Sequence, residues 1–391
     1  MTPHPPGSSA PKLEVLEADE RHAAEVASFI RQVWDRSATA EGVIAARRDA
    51  ATRNVAEPGV PPPTWIALRA GRVLGYVTTI PVQLWDGQRQ WPAYWIKGLM
   101  VLPEFRGGPI GFLVVKAAVG RLRRSGALAV APPARRLFEA LGYTDLGAIP
   151  NWIRPLKPDR LLRQLDLENL GLSGLPRWAP RALRLAQTSG LWALAWGGRG
   201  PLRLVAALAR AKAAGLEVGP FEPSSATDAL ESLWNASRPH VGTGVVRDAG
   251  YLLQRYPTGP DSPYLWSAVH EHGRLSGFAV IRRPRDGGDG RLKGIRVATL
   301  ADALYPPIRT DVGLALLGAA ERTALSLDAD AILATTSSGS FTRLLRRQWY
   351  FPLSGNVHLL LRDVAGEATL LARALPGWWL MRGDGQADEV F

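Results

Sequence analysis

The chain reads as an α/β protein with mixed sheets, built from two successive copies of one strand-and-helix order joined by a basic helical connector. Three observations carry this. Tyr94 to Leu102 is an apolar strand, Pro103 to Gly111 a glycine-rich turn, and Phe112 to Arg124 a helix with apolar residues at 112, 114, 115, 118, 119 and 122. Strands and helices alternate around this unit from Leu13 to about Arg154. The same order restarts near Leu216, and between the two copies the composition turns strongly basic.

Composition bounds the function. At 391 residues the chain is long enough for two cores, and 46% hydrophobic with 21% charged residues is ordinary for a globular protein. Without cysteine there is no disulfide, thiolate metal site or cysteine nucleophile. The six histidines lack metal-ligand spacing, so no metal is expected. No apolar run reaches the roughly 20 residues that span a bilayer. Residues 1–12 read as a disordered tail without an export signal, which makes the cytoplasm the expected location. Of the net +12, residues 151–215 hold 11 Lys/Arg against 3 Asp/Glu, whereas residues 216–391 hold 18 against 19.

In order, Leu13–Asp19 alternates as a short edge strand, and His22–Trp34 has the apolar spacing of a helix. Glu41–Arg53 continues as a second helix, which a proline-rich turn at Pro58–Pro63 ends. Thr64–Arg69 and Val73–Ile80 pair through Ala70-Gly71 as a hairpin, and Asp86-Gly87 turns the chain into the Tyr94 strand. After the glycine turn and its helix come a small strand, Ala127–Ala131, a helix from Pro133 to Leu141 stopped by Gly142, and a last strand, Tyr143–Arg154. A strand feeding a glycine turn at a helix start presents backbone N–H groups and a positive dipole end to an anion.

This order resembles the GCN5-related N-acetyltransferase (GNAT) fold. Val101-x-Pro103-x-x-Arg106 with Gly111 is similar to that family's acyl-CoA motif, Leu137-Phe-Glu-Ala-Leu-Gly-Tyr143 to its late helix, and Gly71-x-Val73-Leu-Gly75 to its hairpin. The resemblance covers residues 13–155 and implies transfer of an acyl group from acetyl-CoA or another acyl-CoA to a small-molecule amine. It implies that Leu99, Met100 and Val101 flank the thioester, and that Arg106, Gly107, Gly108, Ile110 and Gly111 cradle the diphosphate. The sequence departs from the family pattern at three places. Pro109 replaces a glycine of the turn, Phe138 a tyrosine that protonates the leaving thiolate, and Lys97 a glutamate base. Asp35, Glu41 and Tyr94, with Lys97, are the candidates for the acceptor side.

Residues 156–215 form the connector. Leu161–Leu170 is amphipathic, and Arg181 onward and Leu202–Arg210 are apolar-plus-arginine helices. The plain reading is helical packing between the domains with the arginines in water; the sharper one is that basic amphipathic stretches with Trp178, Trp192 and Trp196 suit an anionic membrane surface, which makes residues 177–212 candidates for peripheral contact at the inner membrane face. Nucleic acid fits less well, because no stacking aromatics or fold signature accompany the charge.

Residues 216–391 repeat the order as a second GNAT-like copy. Leu304-Tyr-Pro-Pro-Ile-Arg-Thr-Asp-Val-Gly313 stands where its glycine turn belongs, and two prolines remove N–H donors, so this copy is expected to lack the cofactor site and to shape the acceptor pocket instead. Arg247-Asp248-x-x-Tyr251-x-x-x-Arg255-Tyr256 and the Trp378-Trp379…Gly383-Asp384 tail resemble stretches of tandem GNAT proteins in exopolysaccharide gene sets, which suggests an amino-sugar acceptor. In the residues' own terms, that helix anchors a domain interface. Two rival readings stand beside acyl transfer: an aminoacyl-tRNA-dependent aminoacyltransferase, and a non-catalytic membrane-surface or regulatory module. Oligomeric state stays open.

Overall fold

A computed structural model describes residues 12–164, 179–189, 197, 200–201, 204, 215–285, 292, 294–364, 366 and 369–388. The first half runs β1 (Glu14–Glu17), α1 (Ala23–Val33), α2 (Ala40–Thr52), β2 (Trp65–Arg69), β3 (Arg72–Trp85), β4 (Gln90–Val101), α3 (Ile110–Arg121), β5 (Arg124–Leu128), α4 (Pro132–Ala140) and β6 (Thr144–Pro155). The expected element order is present. β5 starts earlier than Ala127 because it pairs with a distant strand from Arg124 onward, and it stops where Ala129 takes a left-handed φ of 59°.

After α5 (Pro158–Gln164) and α6 (Ala179–Thr188), the second half runs β7 (Glu217–Pro220), α7 (Thr227–Val241), β8 (Thr243–Val245), α8 (Ala249–Arg255), β9 (Tyr264–Glu271), β10 (Arg274–Arg282), β11 (Val297–Leu304), α9 (Thr310–Ser326), β12 (Ala331–Thr335), α10 (Gly339–Arg347), β13 (Phe351–Asp363) and β14 (Trp378–Trp379). Gln187 Nε2 donates to Leu162 O at 2.7 Å, tying α6 to α5. Trp178, Trp192, Trp196 and most of 202–212 lie outside the described residues, and with them most of the stretch expected to meet a membrane. Among the described residues no helix is long and apolar enough to cross a membrane, and no His/Asp/Glu group could hold a metal.

Among the described residues, all strands join one 14-stranded mixed sheet, whose main path is β1-β2-β3-β4-β5-β13-β6-β12-β11-β10-β9-β7. The halves exchange their last long strands. β13 lies antiparallel to β5, with Leu359 opposite Leu128 and Asp363 opposite Arg124. β6 lies antiparallel to β12, with Pro155 opposite Ala331 and Asn151 opposite Thr335. β6 and β13 then pair with each other in the middle. One core cluster is built mainly by the first half, packing Phe29, Ile66, Val77, Ile96, Val114 and Phe138, with Leu360 of β13 added to it. A larger one runs across the exchange, joining Leu84, Trp95 and Leu128 to Trp234, Tyr251 and Trp379.

Candidate active site

β4 is the element on which the site is built. It pairs with β3 along its length, but with β5 only at Tyr94↔Ser125 and Trp95↔Gly126. The Trp95 ring lies over the second of these positions: a Cβ on Gly126 would stand 2.0 Å from it. Beyond Trp95 the two strands part, leaving the β5 side of Ile96–Val101 unpaired with that strand. Within this stretch the β3–β4 register slips, so that Gly98 and Leu99 together face Val77, and Gly98 takes φ 63°. That is a β-bulge, which re-aims the backbone beside it. The apolar run hid it, although a glycine inside a strand is its usual sequence signal.

α3 begins nine residues after Val101. Its N-cap is Pro109 at φ −75°, so the expected loss of one N–H falls on the cap and leaves Ile110, Gly111 and Phe112 free of partners within the helix. Phe112 was missed in the sequence and takes a place that Gly108 does not fill: the Gly108 amide donates to Phe105 O at 3.3 Å, within the turn. Gly107, at φ 82°, has open space where a side chain would stand. Arg106 is exposed and reaches back, its Nε donating to Val101 O at 3.2 Å, so its guanidinium stands at the end of β4. A Cβ on Gly111 would meet Val101 Cγ2 at 3.5 Å. Gly75 explains how the helix comes so close, since a Cβ there would stand 2.4 Å from Ile110 Cγ2. These residues fit an acyl-CoA: a helix dipole end whose first amides have no partner within the helix, a permanent cation, and a strand that has parted from β5 beside them.

Residues 29–143 match the family model described as "Acetyltransferase (GNAT) family". This segment is a GNAT-family domain. Three solved structures share the GNAT domain's wider architecture. A GCN5-related N-acetyltransferase from Anabaena variabilis aligns over 93% of this chain and 75% of its own, at 14% identity and TM-score 0.56. A probable N-acyltransferase from Enterococcus faecalis covers 92% and 74%, at 11% identity and TM-score 0.56. Saccharomyces cerevisiae N-myristoyltransferase with bound myristoyl-CoA covers 93% and 84%, at 14% identity and TM-score 0.52. At these identities the likeness is one of fold, and it extends over both halves. A search of curated proteins finds no match to the chain.

A cavity of about 240 Å³ lies between α1, α2 and β3 of the GNAT domain, lined by Val26, Ile30, Val43, Arg47, Tyr76 and Thr78 among others. Tyr76 and Thr78 are the register partners of Met100 and Lys97, and a side chain on Gly98 would point at both, 3.8 Å from each. The cavity floor therefore lies one strand from the bulge. Tyr76 stacks on Phe29 at 5.9 Å, and exposed Trp34 meets its edge at 5.6 Å.

The four acceptor-side candidates do not converge. Lys97, partly buried, shares a face of the sheet with Thr78. Tyr94 lies on the opposite face, beside Glu57 and Arg121 in a different cavity, and burial pushes its unpartnered hydroxyl up to about 12. The alternation of a strand places residues 94 and 97 apart, so Tyr94 does not face the acceptor side. Asp35 is exposed and caps a turn, accepting from Ser37 Oγ at 2.6 Å and Ser37 N at 2.9 Å; the hydroxyl, then the amide, holds its carboxyl below the usual range. Glu41 is exposed in the first turn of α2. Phe138 is buried against Tyr143, their rings 4.9 Å apart and perpendicular, and the Tyr143 hydroxyl is taken by Ser125 Oγ at 2.6 Å.

In the second half, β11 and β12 likewise pair only at Val297–Leu300 with Ala331–Ala334, then part. There the gap is filled. Trp379 Nε1 donates to Ala303 O at 3.2 Å, and Met381 bridges to Thr336, so the C-terminal segment lies between the two strands. Arg247 and Asp384, taken from two separate stretches of sequence, meet inside it: the guanidinium is fully buried and donates to Asp384 at 2.7 Å and to Asp302 at 2.9 Å. Tyr251 donates to Asp384 at 3.2 Å, and Arg255 holds Gly383 O and Asp388. Burial pushes the Asp302 carboxyl up to about 6 despite Arg247. These motif residues anchor the chain's own tail.

Proposed function

We propose that the protein is an acyl-CoA-dependent N-acyltransferase whose reaction centre lies at the Gly98 bulge of β4. The observation that carries this reading is the parting of β4 from β5 beyond Trp95, beside the α3 N-terminus whose first amides have no partner within the helix, inside the segment that matches the GNAT family model. An acyl-CoA supplies the acyl group. Ile110, Gly111, Phe112 and Arg106 neutralise its diphosphate, and the Ile96–Val101 edge aligns the arm that carries the thioester. An amine in the α1–α2–β3 cavity approaches across Thr78 toward Gly98, whose Cβ position would lie 3.8 Å from the Thr78 and Tyr76 side chains.

Of the titratable groups lining that cavity, Asp19 is engaged by Arg21 and His22, and burial holds the Tyr76 hydroxyl above its ordinary value. Neither is an effective base at neutral pH, so the ammonium proton leaves to water in the open cavity; as the amine forms the amide bond the thioester C–S bond breaks, and CoA leaves as a thiolate that takes its proton from water. The expected amino-sugar acceptor draws no support from this lining: Thr64 and Thr78 bond each other at 2.8 Å, and Thr79 donates to Pro63 O at 2.9 Å. The cavity's lining comes from the first half, and Val55, just beyond α2, packs against the core that both halves share.

Titration calorimetry of the full chain with CoA tests the proposal. Wild type binds, Arg106→Ala weakens binding by about tenfold through loss of one charge-assisted contact, and Gly111→Trp abolishes it. Absence of binding by the wild type overturns the reading.

A further inference from the structure

The cavity between α1, α2 and β3 contains one group that the reaction scheme leaves unexplained. Its walls are largely apolar, from Val26, Ile30, Val43, Ala46, Ala50 and Pro62, yet Arg47 is part of the lining. Arg47 is partly buried, and no described residue bonds or ion-pairs with its guanidinium. The carboxylates within reach are engaged elsewhere. Asp19 accepts from Arg21 at 2.9 and 2.7 Å and contacts His22 at 2.8 Å, and Glu20 accepts both 2.8 Å bonds of Arg48, the next residue on α2. The Arg47 charge bears on the Tyr76 hydroxyl at the cavity floor and, behind Arg48, on the Glu20 carboxylate, which it does not bond. A guanidinium drawn partly out of water into an apolar cavity is poorly solvated until an anion enters, and its planar fork fits a carboxylate through two parallel bonds.

We infer that Arg47 selects the acceptor, and that the acceptor is a small amine with an apolar body and a carboxylate, of the size and chemistry of an aliphatic amino acid. Arg47 holds the carboxylate, the apolar walls take the side chain, and the amine is left toward Thr78 and Gly98. A cavity of about 240 Å³ limits the body to a few carbons. Lys97, on the same face of the sheet as Thr78, adds a second basic side chain that disfavours a purely cationic acceptor. This inference rests on the acyltransferase reading and sharpens it.

The test uses the full chain saturated with CoA, titrated calorimetrically with L-leucine and with L-leucinamide, which differ in the carboxylate alone. L-leucine binds at least about tenfold more tightly than its amide, the scale of one bidentate charge-assisted pair. Arg47→Met removes that difference while leaving CoA binding intact, and Arg47→Lys restores part of it. Equal affinity for the two probes, binding of neither, or an Arg47→Met variant that keeps the preference overturns the assignment. Because CoA binding is read separately in each variant, a failure at Arg47 is distinguishable from a failure of the acyltransferase reading, in which the wild type would not bind CoA at all.

Discussion

Replacing Gly75 with alanine places a methyl group 2.4 Å from Ile110 Cγ2 and 3.7 Å from Val114 Cγ1. Carbon atoms in contact sit about 3.5–4.0 Å apart, so the first turn of α3 must lift by roughly 1 Å. The Ile110 methyl is attached to a β-branched carbon and swings away only with the helix itself. Forcing a methyl into a packed core costs about 1–3 kcal/mol, which urea denaturation will read as a lower midpoint. The same displacement carries the Ile110, Gly111 and Phe112 amides away from a bound diphosphate, and a shift of about 1 Å is enough to cost an order of magnitude or more in a preorganised site. Calorimetry with CoA should therefore show affinity falling by at least about tenfold. Adding Ile110→Ala removes the clashing methyl and should return part of the lost affinity, with a coupling of at least about 0.5 kcal/mol between the two sites. A Gly75→Ala protein that keeps both its urea midpoint and its CoA affinity would refute the idea that this glycine sets the position of the cradle.

Arg247→Met should destabilise the chain by about 3–5 kcal/mol, because it leaves the buried carboxylates of Asp302 and Asp384 without their cation; urea unfolding followed by near-UV circular dichroism measures it. Tyr94→Phe deletes a buried hydroxyl that has no partner, so stability should hold or rise by up to about 1 kcal/mol, and acyl transfer measured by thiol release should be unchanged. Burial raises the folded-state Tyr143 hydroxyl to about 12 from an ordinary value of 10.0, so the folded state keeps its proton longer than the unfolded chain. Stability should therefore be undiminished by this group below about pH 10 and decline as pH rises through 10 to 12, a loss that alkaline unfolding curves of Tyr143→Phe should lack.

The element order was legible because each strand and helix carries its own period, and β4 and α3 are long enough to show it. The anion cradle was legible for the same reason: turn, glycines and arginine are contiguous. What escaped the sequence is non-local. Nothing in Thr144–Pro155 or Phe351–Asp363 states which strand will be its neighbour, since the residues of each mix apolar and polar positions that suit either half. The Gly98 bulge is set by the mismatch with Thr78 and Tyr76 on another strand. Arg47 looks like a solvated helix residue until α1, α2 and β3 enclose it, and Asp35 looks like a base until Ser37 closes its turn. Arg247 and Asp384 were visible separately, but their meeting across 137 residues was not.

Because β13 closes the first half, Arg124–Leu128 waits for partners more than 220 residues downstream. During synthesis the N-terminal sheet therefore emerges with an unpaired backbone edge at β5, and it keeps that edge until nearly the whole chain has left the ribosome. Unpaired edges of this kind invite pairing with other chains. Two copies of the chain meeting at that stage could trade β13 with each other instead of internally, giving an interlocked dimer with the same strand neighbours. Cutting the gene between the halves would not yield two domains, but two fragments, each seeking the strand the other carries.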